Sequence, residues 1–258
     1  MSSYDECAHL YDIAFSWDIG EEVDWLLSRL GRGVRTILEP ACGSGRMFPA
    51  FVERGVDVAG VEISATMIRR ARERMIALGL PLPQILQADM ANFELGATFD
   101  GAVCSINSFG YLLTSDAAGS HLDCIAQHLA AGGKYLVQVD LTDYCSLPVS
   151  TPETGVWEME RNGVTVRTQW YGRYFDPETR LETQVCRFEV LSGPDVGLVA
   201  EDEHILRRWN WAEWTGLIDE SPFVLAGCYD GNSNTRDPLP VDRSLENQDL
   251  IWHELIRS

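Results

Sequence analysis

The sequence predicts an α/β protein that combines a doubly wound parallel sheet with a small antiparallel sheet. Between residues 36 and 140, short apolar runs alternate with segments of helical hydrophobic spacing, which is typical of βαβ units. From Val156 the hydrophobic period changes to two, and turn signals such as Asn162-Gly163 separate the runs. Two periodicities in separate parts of one chain therefore predict two kinds of sheet.

The individual elements follow from the same patterns. The first 30 residues carry two apolar stripes at helical spacing, which predict a helix pair. Ser64 is placed to cap a helix that runs to Leu78. Another helix is expected over 116–129, stopped by Gly132-Gly133, and a short one over 211–218. Strands are expected over 36–38, 56–61, 84–87, 99–106, 134–140, 156–161, 164–175, 181–191, 198–209, 223–229 and 249–255.

Length, composition and charge bound the class of protein. The chain has 258 residues, 45% hydrophobic and 23% charged, so it can bury a substantial core as an ordinary globular protein. Its net charge is −19, and Lys134 is its only lysine. Such a field repels phosphates and anionic lipid, so we expect no nucleic-acid or membrane partner, and a cationic or neutral small-molecule substrate. The alternative is that the acidic excess only aids solubility.

The cysteines indicate a reducing compartment. Their number is odd, no C-x-x-C occurs, and several lie inside apolar runs, so we expect reduced thiols and a cytoplasmic protein. No Cys/His spacing matches a zinc site, and no signal peptide or membrane-spanning apolar run is present, so no metal and no membrane segment are expected. The seven cysteines are Cys7, Cys42, Cys104, Cys124, Cys145, Cys186 and Cys228.

One stretch, residues 36–62, organises the rest of the chain. It reads as a strand, a tight turn at Gly43 and Gly45, a helix from about Met47, and a second strand with Glu62 at its carboxyl end. In open parallel sheets, ligands bind outside the carboxyl ends of the strands. An acidic residue about 20 positions after the glycines is suited to accept hydrogen bonds from a ribose diol. The stretch therefore predicts a nucleoside-binding site.

Two details argue against a dinucleotide at this site. The pyrophosphate fingerprint G-x-G-x-x-G would fall on Ala41, Gly43 and Arg46, so two of its three glycines are absent. Glu39 would also place a carboxylate beside the phosphates, which is electrostatically unfavourable. A carboxylate there suits a cationic ligand better, and an NAD-dependent oxidoreductase becomes a disfavoured alternative.

The same stretch resembles the class I S-adenosylmethionine-dependent methyltransferases. Their first motif is an acidic residue followed by G-x-G-x-G, and here it reads Glu39-Pro40-Ala41-Cys42-Gly43-Ser44-Gly45, with Ala41 in the first glycine position. The resemblance implies a Rossmann-like, seven-stranded sheet whose last strand is antiparallel, with a small antiparallel β cap. It also implies S-adenosyl-L-methionine as cofactor and S-adenosyl-L-homocysteine as product. The glycine loop would hold the methionine part, and Glu62 the ribose.

The resemblance extends to further residues along the chain. Asp89 would accept from the exocyclic amine of the adenine and Met90 would cover the ring, although an isolated Asp at this place is more often a turn residue. Tyr11 would belong to a lid over the cofactor, although such aromatics are more often packing residues. The cofactor-binding residues implied are Tyr11, Glu39, Ala41, Gly43, Gly45, Glu62, Ile63, Met67, Asp89, Met90 and Ser105.

The methyl acceptor is expected at the carboxyl end of the fourth strand. Enzymes that methylate nucleobase amines carry a D/N-P-P-Y/F motif there, and the segment 107–110 lacks both prolines. We therefore expect direct displacement onto N or O of a small molecule. A general base is needed only if the acceptor must lose a proton, and the candidates are Asp140, Tyr111 and His204. A cage for a cationic amine is a further possibility, formed by Trp170, Tyr171, Tyr174, Trp209 and Trp211.

The domain organisation follows from these assignments. We expect N-terminal helices and the cofactor-binding core over 1–145, an antiparallel β cap over 146–209, and the C-terminal part of the core over 210–258. In the resembled family, such a cap recognises the substrate. Open alternatives are a non-catalytic cofactor-binding protein and an aminopropyl transferase, which should carry paired acidic residues that 105–111 lacks. A homodimer is a further possibility.

Overall fold

The computed structural model describes residues 4–145, 153–233 and 235–258, and these form two compact units. One unit contains residues 4–18, 145 and 153–207, and the other contains residues 19–144, 208–233 and 235–258. The expected start of the cap at residue 146 lies outside the described residues. The first helix belongs to the unit of the antiparallel sheet, whereas the sequence analysis grouped it with the core.

The helices and strands have the following bounds. The helices are α1 (Tyr4–Ala14), α2 (Gly20–Leu30), α3 (Phe48–Glu53), α4 (Ala65–Ala77), α5 (Ser115–Gln127) and α6 (Trp211–Asp219). The strands are β1 (Thr36–Pro40), β2 (Asp57–Glu62), β3 (Gln84–Gln87), β4 (Phe99–Cys104), β5 (Leu129–Gln138), β6 (Glu153–Arg161), β7 (Val164–Asp176), β8 (Leu181–Ser192), β9 (Val199–Arg207), β10 (Phe223–Asp230), β11 (Pro238–Leu239) and β12 (Ile251–Arg257). Short 3-10 turns lie at Ser108–Tyr111 and Arg243–Leu245.

The large sheet has the strand order β11-β10-β12-β5-β4-β1-β2-β3. Strands β1 to β5 are parallel to their neighbours among themselves, and β12 runs antiparallel to both β5 and β10. The predicted Rossmann-like sheet with an antiparallel last strand is confirmed. The described sheet has eight strands rather than seven, because the two-residue β11 adds to its edge. The strand order reverses between β1 and β4, so their carboxyl ends border the crevice where ligands bind in such sheets.

The fifth strand begins earlier than the sequence analysis predicted. Helix α5 ends at Gln127, and the next residue, His128, closes it with Nδ1 2.7 Å from the carbonyl of Cys124. The backbone carbonyl of His128 then accepts the amide of Phe99 at the start of β4. Because this bond already aligns the chain with β4, strand β5 starts at Leu129, and Gly132-Gly133 lies inside it rather than ending the helix.

One buried, uncharged histidine joins three segments of this unit. His253 lies on β12 and is fully buried, with Nδ1 accepting from Trp214 Nε1 (3.1 Å) and Nε2 3.1 Å from the carbonyl of Val139. Burial lowers the pKa of His253 to about 4, so the ring is neutral at pH 7. These two contacts satisfy both ring nitrogens, and the histidine therefore ties α6 and β5 to the antiparallel strand.

The second unit is a four-stranded antiparallel sheet in the order β6-β7-β8-β9, with α1 packed against it. Its strands confirm the period-two pattern predicted from Val156 onward. Trp157 on β6 donates from Nε1 to the carbonyl of Ala14 at the end of α1 (2.7 Å). One face is buried and carries an unusual share of polar side chains, namely Thr168, Glu182, Gln184, Asp202 and His204.

Candidate functional site

Glu39 lies near the end of β1 as a buried carboxyl group. Its side chain is 4% exposed, and within the described part of the chain its Oε2 has no hydrogen-bond partner. Burial raises the pKa of Glu39 to about 8, against the opposing charge of Arg46. Arg46 also lies 3.7 Å from Glu22, so its positive charge is not available to Glu39 alone. An incompletely bonded carboxyl group at this edge can accept from a cationic ligand.

The turn that follows holds three residues in left-handed backbone conformations. They are Ala41 (φ 52°), Gly43 (φ 54°) and Gly45 (φ 65°). A Cβ on Gly43 would meet no atom within 4 Å, so the space beside the turn is open at this residue. A Cβ on Gly45 would lie 2.6 Å from the ring of Phe48, so that glycine serves close packing of the turn on α3. Ala41 pays about 1 kcal/mol for its conformation.

Glu62 ends β2 and fixes the glycine turn. Its Oε2 accepts the amide of Gly43 (2.8 Å), and its Oε1 accepts the amide of Ser64 (2.8 Å). The side chain is 8% exposed, and burial raises its pKa while these backbone bonds oppose the shift. Sequence reasoning expected a ribose contact here and missed the backbone role. Each carboxylate oxygen retains a second lone pair, so both roles are compatible.

The predicted adenosine contacts differ in exposure. Ile63 is 64% exposed immediately after Glu62, which leaves an apolar side chain open at the sheet edge. Met67 is buried in the first turn of α4, where Ser64 caps the helix by accepting the amide of Met67 (3.2 Å). Asp89 is exposed, and its Oδ1 accepts the amide of Ala91 (2.8 Å), as the turn reading of this residue expected.

Met90 is held in place through its backbone by a buried histidine. The carbonyl of Met90 lies 2.9 Å from Nδ1 of His121, and Nε2 of His121 lies 2.8 Å from the hydroxyl of Tyr135 on β5. Burial lowers the pKa of His121 to about 4, so the neutral ring donates to Met90 and accepts from Tyr135. The turn after β3 is therefore anchored on β5, a link that has no local signal in the sequence.

Together these features fit S-adenosylmethionine. The buried oxygen of Glu39 could accept from its ammonium group, and the open space at Gly43 leaves room for the methionine part. The exposed side chain of Ile63 offers an apolar surface next to Glu62. All four positions belong to adjacent strand ends of one unit.

Asp140 lies two residues beyond β5 at the same edge of the sheet. It is half-buried, and its Oδ1 accepts the amide of Leu250 (2.7 Å). Burial raises the pKa of Asp140 to about 6, with Arg208 and the Leu250 bond opposing and Asp249 adding to the shift. The carboxyl group is therefore mostly ionised at neutral pH while keeping a substantial affinity for a proton.

The segment after β4 contains the other residues predicted at the acceptor edge. Ser105 is half-buried, and its carbonyl accepts the amide (3.2 Å) and the hydroxyl (2.9 Å) of Ser108. Tyr111 is half-buried and packs against the hydrophobic core. Asn107, which sequence reasoning did not single out, accepts the amide of Asp140 through Oδ1 (3.1 Å). The ends of β4 and β5 are thus joined by a side chain.

His204, the third candidate base, belongs to the antiparallel unit. It is buried and stacks on Trp170, with ring centroids 4.9 Å apart and planes 9° apart. Its Nε2 lies 3.6 Å from Oδ2 of Asp202, a pair that the sequence analysis did not find. Because residues two apart on a strand share a face, that spacing was the signal available. Burial lowers the pKa of His204 to about 4.

Tyr11 packs within the antiparallel unit. Its ring stacks on Phe15 (4.4 Å between centroids) and meets Trp170 (6.5 Å) and Phe188 (5.9 Å) edge-on. These contacts are those of a packing residue. A lid role over the cofactor stays a prediction.

The predicted aromatic cage is wrong. Trp170 and Tyr171 are neighbours on β7, so their side chains point to opposite faces of the sheet. Tyr174 is 49% exposed, and Trp209 is buried in the other unit against Phe109 (5.8 Å). Trp170 and Tyr171 therefore cannot line the same cage, because strand alternation places their side chains on opposite faces.

The described residues offer neither a metal site nor a membrane-spanning helix. No group of three or more His, Cys, Asp or Glu side chains among them could hold a metal ion. None of the helices they form is long and apolar enough to cross a membrane.

Comparisons with known proteins agree with this geometry. Residues 37–133 match a methyltransferase domain. A dTDP-3-amino-3,4,6-trideoxy-α-D-glucopyranose N,N-dimethyltransferase of Streptomyces venezuelae is 36% identical over 199 residues, which is 74% of each chain. A dTDP-3-amino-3,6-dideoxy-α-D-glucopyranose N,N-dimethyltransferase of Streptomyces fradiae is 25% identical over 213 residues, 77% of this chain and 75% of that one.

A solved structure shares the fold. It is that of the S-adenosylmethionine-bound amino pentose methyltransferase CalS10 from Micromonospora echinaspora, with a TM-score of 0.73 and 19% identity over 96% of this chain and 97% of that one. The acidic strand end, the glycine turn and the antiparallel last strand thus occur in a chain whose relatives are methyltransferases. The alternatives of an oxidoreductase, an aminopropyl transferase and a non-catalytic protein are therefore set aside. The chain belongs to the S-adenosylmethionine-dependent methyltransferases and is an enzyme that transfers a methyl group from that cofactor to a small molecule.

Proposed function

We propose that this enzyme methylates the amino nitrogen of a nucleotide-linked deoxy amino sugar, and that it does so twice. The observation that carries this proposal is the 36% identity, over 74% of each chain, with an N,N-dimethyltransferase of a dTDP-3-amino sugar. The relative from Streptomyces fradiae acts, by its name, on a second dTDP-3-amino sugar. An amino group at the sugar 3-position is therefore the first acceptor to test.

The chemistry requires a neutral amine. When bound, S-adenosylmethionine supplies an electrophilic methyl group on a sulfonium. The N–C bond forms as the C–S bond breaks, and the nitrogen becomes a cation that must release its proton before a second transfer. Asp140 is our proposed acceptor of that proton, because its carboxylate is half-buried and its raised pKa of about 6 suits proton uptake near neutral pH.

The other two candidate bases are less suitable. His204 is buried and has a pKa of about 4, so it has little affinity for a proton at pH 7. Tyr111 packs on the hydrophobic core at the end of its 3-10 turn. We assign neither a proton-transfer role.

The cofactor is proposed to lie along the ends of β1 to β4. Glu39 accepts from the ammonium of the methionine part, and Glu62 accepts from the ribose while it holds the turn. Ile63 and Met67 flank the adenosine, and Asp89 and Met90 bound the adenine from the next turn. Ala41, Gly43, Gly45, Ser105 and Tyr11 complete the proposed set.

The substrate class can be tested against the charge of the chain. A net charge of −19 does not favour a diphosphate-bearing substrate, so the unlinked amino sugar is a genuine competitor. We propose incubating the enzyme and S-adenosylmethionine with three acceptors: dTDP-3-amino-3,6-dideoxy-glucose, the free amino sugar, and the dTDP-sugar bearing a 3-hydroxyl. Mass spectrometry should show mono- and dimethyl products with the first acceptor. Methylation of the hydroxyl sugar alone, or of none, would overturn the proposal.

Three expectations accompany this function. We propose that the antiparallel unit contributes to substrate recognition, and that the enzyme is cytoplasmic. A homodimer stays a prediction, which analytical ultracentrifugation of the purified enzyme would test.

A further inference from the structure

Two consecutive residues after β4 adopt a backbone conformation that rarely suits them. Ile106 has φ 55° and Asn107 has φ 49°, both in the left-handed region. Asparagine tolerates this region, but a β-branched isoleucine there is a genuine outlier. Such conformations persist only where the surrounding structure enforces them, and they concentrate at functional sites. The contacts that enforce this one can be identified.

The first contact comes from a buried side chain on β5. Gln138 is 4% exposed, and its Oε1 accepts the amide of Ile106 (2.5 Å). The ladder between β4 and β5 ends one step earlier, at the pair Cys104 and Val137. The amide side chain therefore replaces the ladder at the point where the two strands separate.

The second contact joins the same segment to Asp140. Asn107 Oδ1 accepts the amide of Asp140 (3.1 Å), while the carbonyl of Asn107 accepts the amide of Gly110 (2.9 Å). Asp140 in turn accepts the amide of Leu250 through Oδ1 (2.7 Å). The backbone before β12 is thus part of the same chain of bonds.

The far end of this series of hydrogen bonds is tightly packed. The carbonyl of Leu250, itself at φ 57°, accepts the amide of Gly231 (2.8 Å). A Cβ on Gly231 would lie 2.0 Å from that carbonyl oxygen and 3.1 Å from Nε2 of Gln138. Only glycine fits there, so the backbone after β10 closes against the side chain that holds Ile106.

We propose that Gln138 and Asn107 are positioning residues that fix the left-handed Ile106–Asn107 segment and the Asp140 backbone as one unit at the edge where the methyl group is transferred. The inference rests on the proposed function for the identity of its acceptor and for Asp140 as the base. Neither residue needs to touch the substrate. Loss of either contact lets the segment relax, which misplaces Asp140 relative to the acceptor and leaves cofactor binding at β1 and β2 intact.

The test uses Gln138→Met and Asn107→Ala, singly and together, in the full chain with dTDP-3-amino-3,6-dideoxy-glucose and S-adenosylmethionine. We expect kcat to fall about 10- to 100-fold in each single variant, as misplacement by about 1 Å can cause, with KM and S-adenosylhomocysteine affinity nearly unchanged. The double variant should lose little more than the worse single variant, because both contacts hold one segment. Gln138→Glu keeps an acceptor for Ile106 and should recover most of the rate.

Asn162→Ala is the matched control. Asn162 is also an asparagine in the left-handed region (φ 55°), but it lies in the turn between β6 and β7. We expect it to lower the melting temperature as Asn107→Ala does and to leave kcat unchanged. Equal kcat in Asn107→Ala and Asn162→Ala, or rate losses that multiply in the double variant, would show that the two residues do not act as proposed.

A second readout does not depend on the substrate. If the wild-type enzyme fails to methylate the amino sugar, the proposed function fails. Amide hydrogen exchange at Ile106 then tests by itself whether Gln138 and Asn107 hold the Ile106–Asn107 segment. Exchange should accelerate in Asn107→Ala as well as in Gln138→Met, although Asn107 does not bond that amide. Unchanged exchange at Ile106 in Asn107→Ala would overturn the inference.

Discussion

The carboxyl ends of β1 and β2 each carry a buried glutamate, and the two differ in what completes them. Each oxygen of Glu62 accepts a backbone amide of the protein itself, from Gly43 or from Ser64. Glu39, on the neighbouring strand, keeps one buried oxygen without a hydrogen-bond partner among the described residues. Glu62 therefore shapes the site and has only its second lone pairs left for a ligand, whereas Glu39 has a whole buried oxygen left for one.

Removal of the structural glutamate should have the largest effect. Glu62→Ala leaves two backbone amides without their acceptor, which costs about 1–3 kcal/mol for a buried group. We expect a lower melting temperature together with an S-adenosylhomocysteine affinity weakened about tenfold or more, equivalent to ~1.4 kcal/mol, in calorimetric titration. Glu62→Gln keeps one acceptor oxygen, so its melting temperature and its affinity should lie between those of the wild type and of Glu62→Ala. An affinity loss without any stability loss would contradict the dual role.

Removal of the ligand-facing glutamate should change stability in the opposite direction. The folded pKa of Glu39, about 8, lies above its ordinary value of 4.5, so its contribution to stability is present below pH 4.5 and is lost as the pH rises through 8. Glu39→Gln should therefore raise the melting temperature of the free enzyme most at about pH 9, and weaken S-adenosylhomocysteine binding. A pH-independent effect on the melting temperature would show that Glu39 titrates normally.

The same group should release a proton when the cofactor site fills. In the free enzyme at pH 7, Glu39 is mostly protonated, and a cationic ammonium group beside it favours the carboxylate. Titration with S-adenosylhomocysteine in two buffers of different ionisation enthalpy should report release of on the order of one proton. The release should be absent in Glu39→Gln and retained in Asp140→Asn. Equal heats in both buffers for the wild type would refute this linkage.

The smallest expected effect concerns the turn between the two glutamates. Ala41 is left-handed (φ 52°), so Ala41→Gly should relieve steric strain and stabilise the enzyme by about 0.5–1 kcal/mol in urea unfolding. Ala77→Gly is the control, because Ala77 is exposed in the last turn of α4. It should destabilise by about as much. The same sign for both would rule out a strained Ala41.

Local chemistry explains what the sequence could predict. The glycine turn, the acidic residues at strand ends and the cap at Ser64 depend on neighbours within a few positions, and the structure has all of them. The antiparallel strands were equally predictable, because period two and the turn at Asn162-Gly163 are local signals.

Contacts between distant residues explain what could not be predicted. The bond from Glu62 to Gly43 and the bond from Gln138 to Ile106 join segments 19 and 32 positions apart. The pairing of α1 with the antiparallel sheet depends on tertiary packing, and so does the start of β5 at Leu129. The aromatic cage failed because composition alone does not say which face of a strand a side chain occupies.

Three of the buried histidines have a consequence for how the enzyme responds to acid. His121, His204 and His253 each have a folded pKa of about 4, below the ordinary 6.5. Their contribution to stability is present above pH 6.5 and is lost as the pH falls toward 4, because only the unfolded chain can take up those protons. Mild acid therefore lowers the stabilising contribution of three interior positions, one in the antiparallel unit and two in the other. Glu39 has the opposite pH dependence, because its contribution is lost as the pH rises from 4.5 to 8, so between pH 4.5 and 6.5 it partly offsets the effect of the histidines.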